Sequence, residues 1–407
     1  MLQPRPFALV VALTLGCGPG GASSAETGGS ATSQAGDATS TGASGGDTGS
    51  ASSTGVPTSS GTSMGGGEGT TADATSSVDD TGTSTGGDGV CEDPGAPGCT
   101  ACDARGEPQR LFGLTWNYAK GEPGSGLGSE ELRCIVPDTG SNALIAAIPG
   151  MDWLPVGHNT YDRDAAILYA LAFANSDNIT RVFAIHTITG ELLHNPPVEP
   201  TFNWSGGIHA RSDGALVGVT WNPGALQEEL YLLDPATGAA TRVAAIPEIA
   251  TLYQAIYAYD HLADHIFMIG GANGEPGDHL FVIDAMNGAL IADPVFAAPV
   301  PWSSGIYVRA DGQLFGVAID GMKQLQRLLT IDPATAQTAA IAEIPNVGPL
   351  LLGASVYDDL SDTLFVVDDQ FRLVQIDATS GELLAAPKLA APNPNANYNW
   401  SGGLHVR

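Results

Sequence analysis

Trp-Ser-Gly-Gly-Ile-His-Ala-Arg at 204–211 returns as Trp-Ser-Ser-Gly-Ile-Tyr-Val-Arg at 302–309 and as Trp-Ser-Gly-Gly-Leu-His-Val-Arg at 400–407. Both intervals are 98 residues. A fixed period of this kind marks a repeat architecture, in which one supersecondary unit is stacked on copies of itself. Outward from 302–309, each unit divides into two similar halves. The first half holds Gln-Leu-Phe-Gly-Val-Ala-Ile (313–319), Leu-Leu-Thr-Ile-Asp-Pro-Ala-Thr (328–335) and Ala-Ala-Ile-Ala-Glu-Ile (339–344). The second holds Leu-Gly-Ala-Ser-Val-Tyr-Asp (352–358), Thr-Leu-Phe-Val-Val-Asp (363–368), Arg-Leu-Val-Gln-Ile-Asp (372–377) and Glu-Leu-Leu-Ala-Ala (382–386). These are apolar runs of strand length, rich in β-branched residues and punctuated by turn residues, with no helical periodicity. Counting the Trp-Ser segment as a strand gives four strands per half, which is the content of a propeller blade.

Three units of two blades make six. The repeat pattern starts at Arg110-Leu-Phe-Gly-Leu-Thr-Trp116, which aligns with the second strand of a blade, Val217-Gly-Val-Thr-Trp221. It runs out at Gly403-Leu-His-Val-Arg407, a first strand with no blade after it. The expected fold is therefore all-β: a six-bladed β-propeller over 110–407 with four-stranded antiparallel blades. The C-terminal strand completes blade one, with Gly403–Arg407 paired to Leu111–Trp116. Such closure leaves fewer bare strand edges than an open solenoid of the same blades. Most acidic residues fall in turns. Asp234-Pro-Ala-Thr-Gly238, Asp284-Ala-Met-Asn-Gly288, Asp332-Pro-Ala-Thr335 and Asp377-Ala-Thr-Ser-Gly381 lie between third and fourth strands. There Asp caps the turn, Pro presets φ and Gly takes the left-handed conformation.

Composition changes sharply before the repeats. Residues 1–17 read as an export signal: Arg5, an apolar run from Phe7 to Leu15, then Gly16-Cys17. Leu13-Thr14-Leu15-Gly16-Cys17 resembles a bacterial lipobox, departing from it at Thr14, where Leu is usual. That resemblance implies diacylation of Cys17 and a membrane-anchored lipoprotein, periplasmic or at the cell surface. Residues 18–90 are Gly, Ser, Thr and Ala with eight acids, no Lys or Arg and no aromatic residue. Such a segment cannot offset its ordering entropy by burial and is expected to be a disordered tether.

Residues 91–109 form a Cys-rich entry segment. Cys91, Cys99, Cys102 and Cys134 make an even set once Cys17 is set aside, and in an exported chain they read as disulfides. Cys134 is expected to bond one of the other three. Cys99-Thr-Ala-Cys102 also has zinc or redox spacing, but no thioredoxin-like pattern accompanies it. Asp103 stands where covalent haem attachment needs His.

The chain carries a net charge of −29 and has three lysines, Lys120, Lys323 and Lys388. Nucleic-acid binding requires basic clusters, so that role is excluded. No metalloprotease helix motif, phosphate-binding loop or spaced-aspartate Ca²⁺ loop is present, and Ser205 and Ser401 sit in Ser-Gly-Gly rather than a nucleophile elbow. No cofactor or catalytic residue is assigned. Propeller topology places Trp116, Trp153, Trp204, Trp221, Trp302 and Trp400 on one face, that of the second-to-third connections and blade crossings. They are read either as an aromatic recognition surface or as locks between blades, with Trp116 and Trp153 the more open to solvent. His209, Tyr307 and His405 fall at equivalent positions near the axis, as packing residues or as a proton-transfer or metal site.

Strands ending in Ile-Asp-Pro-x-Thr-Gly together with Leu-Phe-Gly-Val second strands resemble bacterial six-bladed propellers of the NHL, TolB-like and gluconolactonase-like kind. A low-complexity tether followed by a short cysteine cluster resembles surface lipoproteins of myxobacteria-like organisms. The expected function is a monomeric, lipid-anchored, non-catalytic binding module with a protein or glycan ligand on its Trp-rich face. The alternative is a channel-site metal-dependent hydrolase or lactonase. Gluconolactonase-like enzymes hold a cation through Glu, Asn and Asp side chains, a set that matches no positions here.

Overall fold

The second strand of a blade is buried along most of its length, as in Leu216–Thr220, because sheet covers it on both sides. The computed structural model describes residues 111–117, 130–174, 179–200, 203–321, 323, 325–390, 398–400 and 403–407. The signal, tether and entry segments expected over 1–109 lie outside them.

In chain order, β1 (Leu111–Asn117), β2 (Glu130–Ile135) and β3 (Asn142–Ile148) form the outer part of blade one. Blade two is β4 (Met151–Trp153), β5 (Asn159–Asp162), β6 (Ile167–Ala174), β7 (Thr180–His186) and β8 (Leu192–His194). Blade three is β9 (Asn203–Ala210), β10 (Leu216–Asn222), β11 (Gln227–Leu233) and β12 (Ala240–Ile246). Blade four is β13 (Ile249–Asp260), β14 (His265–Ala272), β15 (Asp278–Asp284) and β16 (Leu290–Ala292). Blade five is β17 (Trp302–Val308), β18 (Leu314–Asp320), β19 (Leu325–Ile331) and β20 (Thr338–Ile344). Blade six is β21 (Leu350–Asp358), β22 (Thr363–Asp368), β23 (Leu373–Asp377) and β24 (Leu383–Ala385). Then β25 (Tyr398–Asn399) and β26 (Leu404–Val406) return to β1. All pairings within blades are antiparallel. Leu111 faces Val406 and Phe112 faces His405, so the expected closure is found, and Trp116 is paired by Asn399 of β25 rather than by the last strand.

Two kinds of seam alternate around the ring, which is why the repeat is two blades long. Between blades two and three, four and five, and six and one, the seam is centred on Trp204, Trp302 and Trp400. Each indole lies over a glycine of its own second strand: Gly218, Gly316 and Gly113. A Cβ at Gly218 or Gly316 would collide with the ring, and one at Gly113 would strike the Gly403 carbonyl beside it. Between blades one and two, three and four, and five and six, the seam is built on Phe112 with Tyr161, Val217 with Tyr259, and Phe315 with Tyr357.

Every innermost strand breaks at mid-length. Blade two splits into β4 and β5 and blade one into β25 and β26, and the other four show a register shift against the second strand. The break takes a left-handed residue at Gly157, Gly207, Gly353 and Gly403, with φ between 70° and 81°. Glycine is needed there because a Cβ disfavours that backbone region. Ala255 occupies the equivalent position in blade four at φ 57° without glycine's freedom.

The turn chemistry follows the aspartates. Asp234 accepts the Ala236 amide at 2.9 Å and the Thr237 hydroxyl at 2.7 Å, and Asp332 repeats both contacts with Ala334 and Thr335. Cys134 is buried in β2; the other four cysteines, and with them the expected disulfide partners, lie outside the described residues.

Candidate functional site

The innermost strands enclose an axial cavity of about 650 Å³. This is within the range of small-ligand sites, about 300–1,000 Å³. It opens on the face of the first-to-second strand turns, opposite the tryptophan face. On the axis, the phenol of Tyr257 from blade four crowds against Gly157 of blade two and Gly207 of blade three, where neither position leaves room for a Cβ. Tyr257 is held un-ionised, its pKa pushed up by burial.

Three five-residue turns rise around the mouth at 162–166, 260–264 and 358–362, from blades two, four and six. Each opens on an aspartate: Asp162 accepts the Ala165 amide, Asp260 those of Leu262 and Ala263, and Asp358 that of Leu360. Each closes on a left-handed residue, Ala166, Asp264 or Asp362. The tips carry Arg163 and Asp164, His261 and Leu262, and Asp359 and Leu360. Leu262 is 83% and Leu360 75% exposed. Arg163 and Asp359 form an ion pair at 2.8 Å from blade two to blade six. The imidazole of His261 is pushed down, first by burial, and it also feels both Arg163 and Asp359. The three tips therefore converge electrostatically. Arg309, on the rim at blade five, reaches Asp362 at 3.5 Å and donates to Thr379 at 2.8 Å.

The tryptophan face differs from the aromatic surface expected there. Trp116, Trp204 and Trp400 are buried and offer a ligand no ring surface, and Trp221 and Trp302 are partly buried. Trp116 was expected among the open ones, but it lies inside blade one between Glu130 and the returning β25. Trp153 is the exception: 48% exposed and stacked on Phe173 at 5.1 Å and 11°. On the turn face, in contrast, Leu262 and Leu360 stand out as exposed apolar side chains.

His209, Tyr307 and His405 line the cavity but are committed to different seams. His405 stacks on Phe112 at 5.5 Å, and His209 stacks on Tyr259 at 5.5 Å with Tyr257 edge-on at 5.1 Å. Tyr307 donates its hydroxyl to Ser355 at 2.5 Å. Burial, with a smaller push from His261, holds His209 down to about 3, so it is neutral at physiological pH. Among the described residues, no three His, Cys, Asp or Glu side chains converge as a metal site.

One buried carboxylate escaped the sequence reading. Glu228 at the start of β11 is 2% exposed, and burial lifts it to about 7, opposed by a hydrogen bond from Ser205 Oγ at 2.5 Å. Its copy one repeat later is Gln326, which accepts from Ser303 Oγ at 2.6 Å and donates from Nε2 to the Gly348 carbonyl at 3.0 Å. A position filled by either a carboxyl or an amide needs a neutral group bridging strands. Ser205 with Glu228 is thus a structural contact inside blade three rather than a nucleophile with its base.

No protein-family model and no curated protein matches the chain. Solved structures similar to it include a TolB from Acinetobacter baumannii, at 11% identity and a TM-score of 0.42 over 67% of this chain and 61% of that one. The Cps50 (Swd1) β-propeller domain of Myceliophteria thermophila is 12% identical, with a TM-score of 0.41 over 63% and 83% of the two chains. A Bacteroides fragilis protein described as a 6-phosphogluconolactonase is 13% identical, with a TM-score of 0.42 over 73% and 98%. This chain spans less than two thirds of the TolB. At these values the six blades rest on the strand pairing itself and not on the likeness.

Proposed function

We propose that the protein is an exported, lipid-anchored propeller that acts as a non-catalytic binding module, taking a protein or glycan ligand at the mouth of its axial cavity. The observation that carries this reading is the mouth itself. Three turn tips with unlike charges, two of them also bearing an exposed leucine, surround a concave opening of small-ligand size. Its location on the turn face replaces the tryptophan face as the preferred surface. The hydrolase alternative needs a cation, and among the described residues no three His, Cys, Asp or Glu side chains are grouped to hold one. Acylation of Cys17, which the lipobox-like 13–17 segment supports, would hold the domain outside the cytoplasm.

Glycan-array and partner-capture binding of the soluble domain, residues 91–407, tests the site. Leu262→Ser with Leu360→Ser should weaken retention of a bound glycan or protein at least tenfold, and Trp153→Ser should leave it unchanged. Loss on Trp153→Ser with the leucine pair neutral would move the site back to the opposite face. Cell fractionation of Cys17→Ser tests the anchor: the protein should shift from membrane to soluble fractions.

A further inference from the structure

Among the described residues, five tyrosines line the axial cavity: Tyr161 from blade two, Tyr257 and Tyr259 from blade four, Tyr307 from blade five and Tyr357 from blade six. A tyrosine can offer a ligand both its hydroxyl and its ring. Here the hydroxyls are already taken up by the wall. Tyr259 donates to Asp264, Tyr357 to Asp362 at 2.7 Å and Tyr307 to Ser355. Ala166 stands one repeat before Asp264, so Tyr161 lacks that acceptor, yet its hydroxyl is buried, as is that of Tyr257. All five side chains are nonetheless only partly buried. What they show the cavity is therefore ring surface, drawn from four of the six blades.

The charges around those rings do not balance. Arg163 is paired with Asp359 at 2.8 Å, and Arg309 reaches Asp362 at 3.5 Å. Asp162, Asp164 and Asp260 also line the cavity, and no ion pair neutralises them among the described residues. His209 and His261, both pushed down by burial, bring no positive charge at physiological pH. Aromatic faces are the negative side of the ring quadrupole, so rings and carboxylates act with the same sign. The field of the cavity favours a cation over a neutral or anionic guest. An ammonium with N–H groups would need acceptors among the rings, where the hydroxyls are spent. A quaternary ammonium has no donor to satisfy.

We propose that the axial cavity binds a small organic cation of the quaternary ammonium class, held by the tyrosine rings with Asp162, Asp164 and Asp260 at the mouth. This rests on the reading of the mouth as the entrance to the binding site, and specifies the chemical group that enters it. Titration of the full chain with choline and with its uncharged isostere dimethylbutanol, followed by saturation-transfer NMR at constant ionic strength, separates charge from shape. Choline should bind about tenfold more tightly, the discrimination expected of a partly desolvated cation over aromatic faces. Tyr257→Phe keeps the ring and removes only a buried hydroxyl, so neither affinity should change. Tyr257→Leu should reduce the preference for choline. Asp162→Asn combined with Asp260→Asn leaves an amide oxygen to cap both turns, and should weaken choline while leaving the isostere unchanged. That pair keeps the test decisive if Tyr257→Leu does not fold. Phosphocholine carries the same cation beside a phosphate that the mouth repels, and should bind more weakly than choline. Tighter binding of phosphocholine would assign the same cation site to a headgroup rather than to a free cation. Equal affinities for choline and the isostere, no binding of either, or a choline affinity unmoved by the aspartate pair would overturn the proposal. Retention of a glycan or protein that is lost in the Leu262 and Leu360 variants, with choline unbound, would keep the mouth as the binding site and end only this assignment.

Discussion

Glu228 should make the protein less stable as pH rises from about 4.5 to about 7, and Glu228→Gln should abolish that loss. The carboxyl is 2% exposed within blade three, lifted from 4.5 to about 7 by burial. A folded-state pKa above the unfolded one means that the native protein holds the proton more tightly. Stability from this group is complete below the unfolded pKa and is lost as pH climbs through the folded one. At 1.36 kcal/mol per pH unit the loss is about 3 kcal/mol, a large fraction of a typical folding free energy. Other groups titrate in the same window with the opposite sign. Burial holds His158 down to about 4 and His209 down to about 3, so their contribution is full above pH 6.5 and lost on acidification. The total pH profile therefore mixes the two effects, and the informative quantity is the difference between variant and wild type. Gln326 already fills the equivalent position, with Ser303 and the Gly348 carbonyl as partners, so glutamine at 228 fits the site. Urea melts of both proteins at pH 4.5, 6, 7 and 8 should give a variant near wild type at pH 4.5 and about 3 kcal/mol more stable at pH 8. Parallel profiles across this range, or a variant less stable at pH 8, would refute the assignment of Glu228 as a buried neutral carboxyl.

Deleting residues 400–407 should prevent cooperative folding, since it strips Trp400, Leu404 and Val406, all buried, from the seam that closes the ring. At about 1.5–3 kcal/mol per buried side chain the loss approaches the whole stability of a domain, and a cooperative thermal melt at the wild-type temperature would contradict it. Trp116→Ala should cost about 3–5 kcal/mol in denaturant melts because the ring is fully buried, whereas Trp153→Ala should cost under about 1.5 kcal/mol. Equal costs would show that Trp153 also locks the ring. The disulfide at Cys134 should join it to Cys91, Cys99 or Cys102 and contribute about 2–4 kcal/mol; non-reducing peptide mapping that recovers Cys134 as a free thiol would count against it.

The blade count and the closure were legible because they depend on spacing. A 98-residue period, a start on a second strand and an end on a first strand leave few ring topologies to choose among. The aspartate turns were legible because a capped turn is a contact between residues two or three apart. Burial of the tryptophans was harder to read, since it depends on what the neighbouring strand offers each ring. Yet a clue lay in the sequence. Gly113, Gly218 and Gly316 recur in the second strand beside the repeated tryptophans, and a glycine beside a large ring marks a place where the ring is packed down. Trp116 has no such glycine and is buried instead by strand order, which becomes visible once β25 has returned to the first blade.

The mouth was missed for a different reason. A repeat draws attention to what recurs, and what recurs here is scaffold: the tryptophans, the glycines beneath them, the tyrosine and aspartate that begin each long turn. The residues at the cavity mouth are those in which the copies differ, Arg163, His261 and Asp359 at one position and Asp164 and Leu262 at the next. Three copies of one side chain around an axis would carry like charge and repel, or present the same group three times. Divergence at the tips lets one copy attract another and breaks the pseudo-threefold symmetry where a ligand without that symmetry would have to dock. In a propeller built from near-identical units, the site is therefore to be sought at the positions where the units stop agreeing, on the face where the turns are long enough to reach the axis.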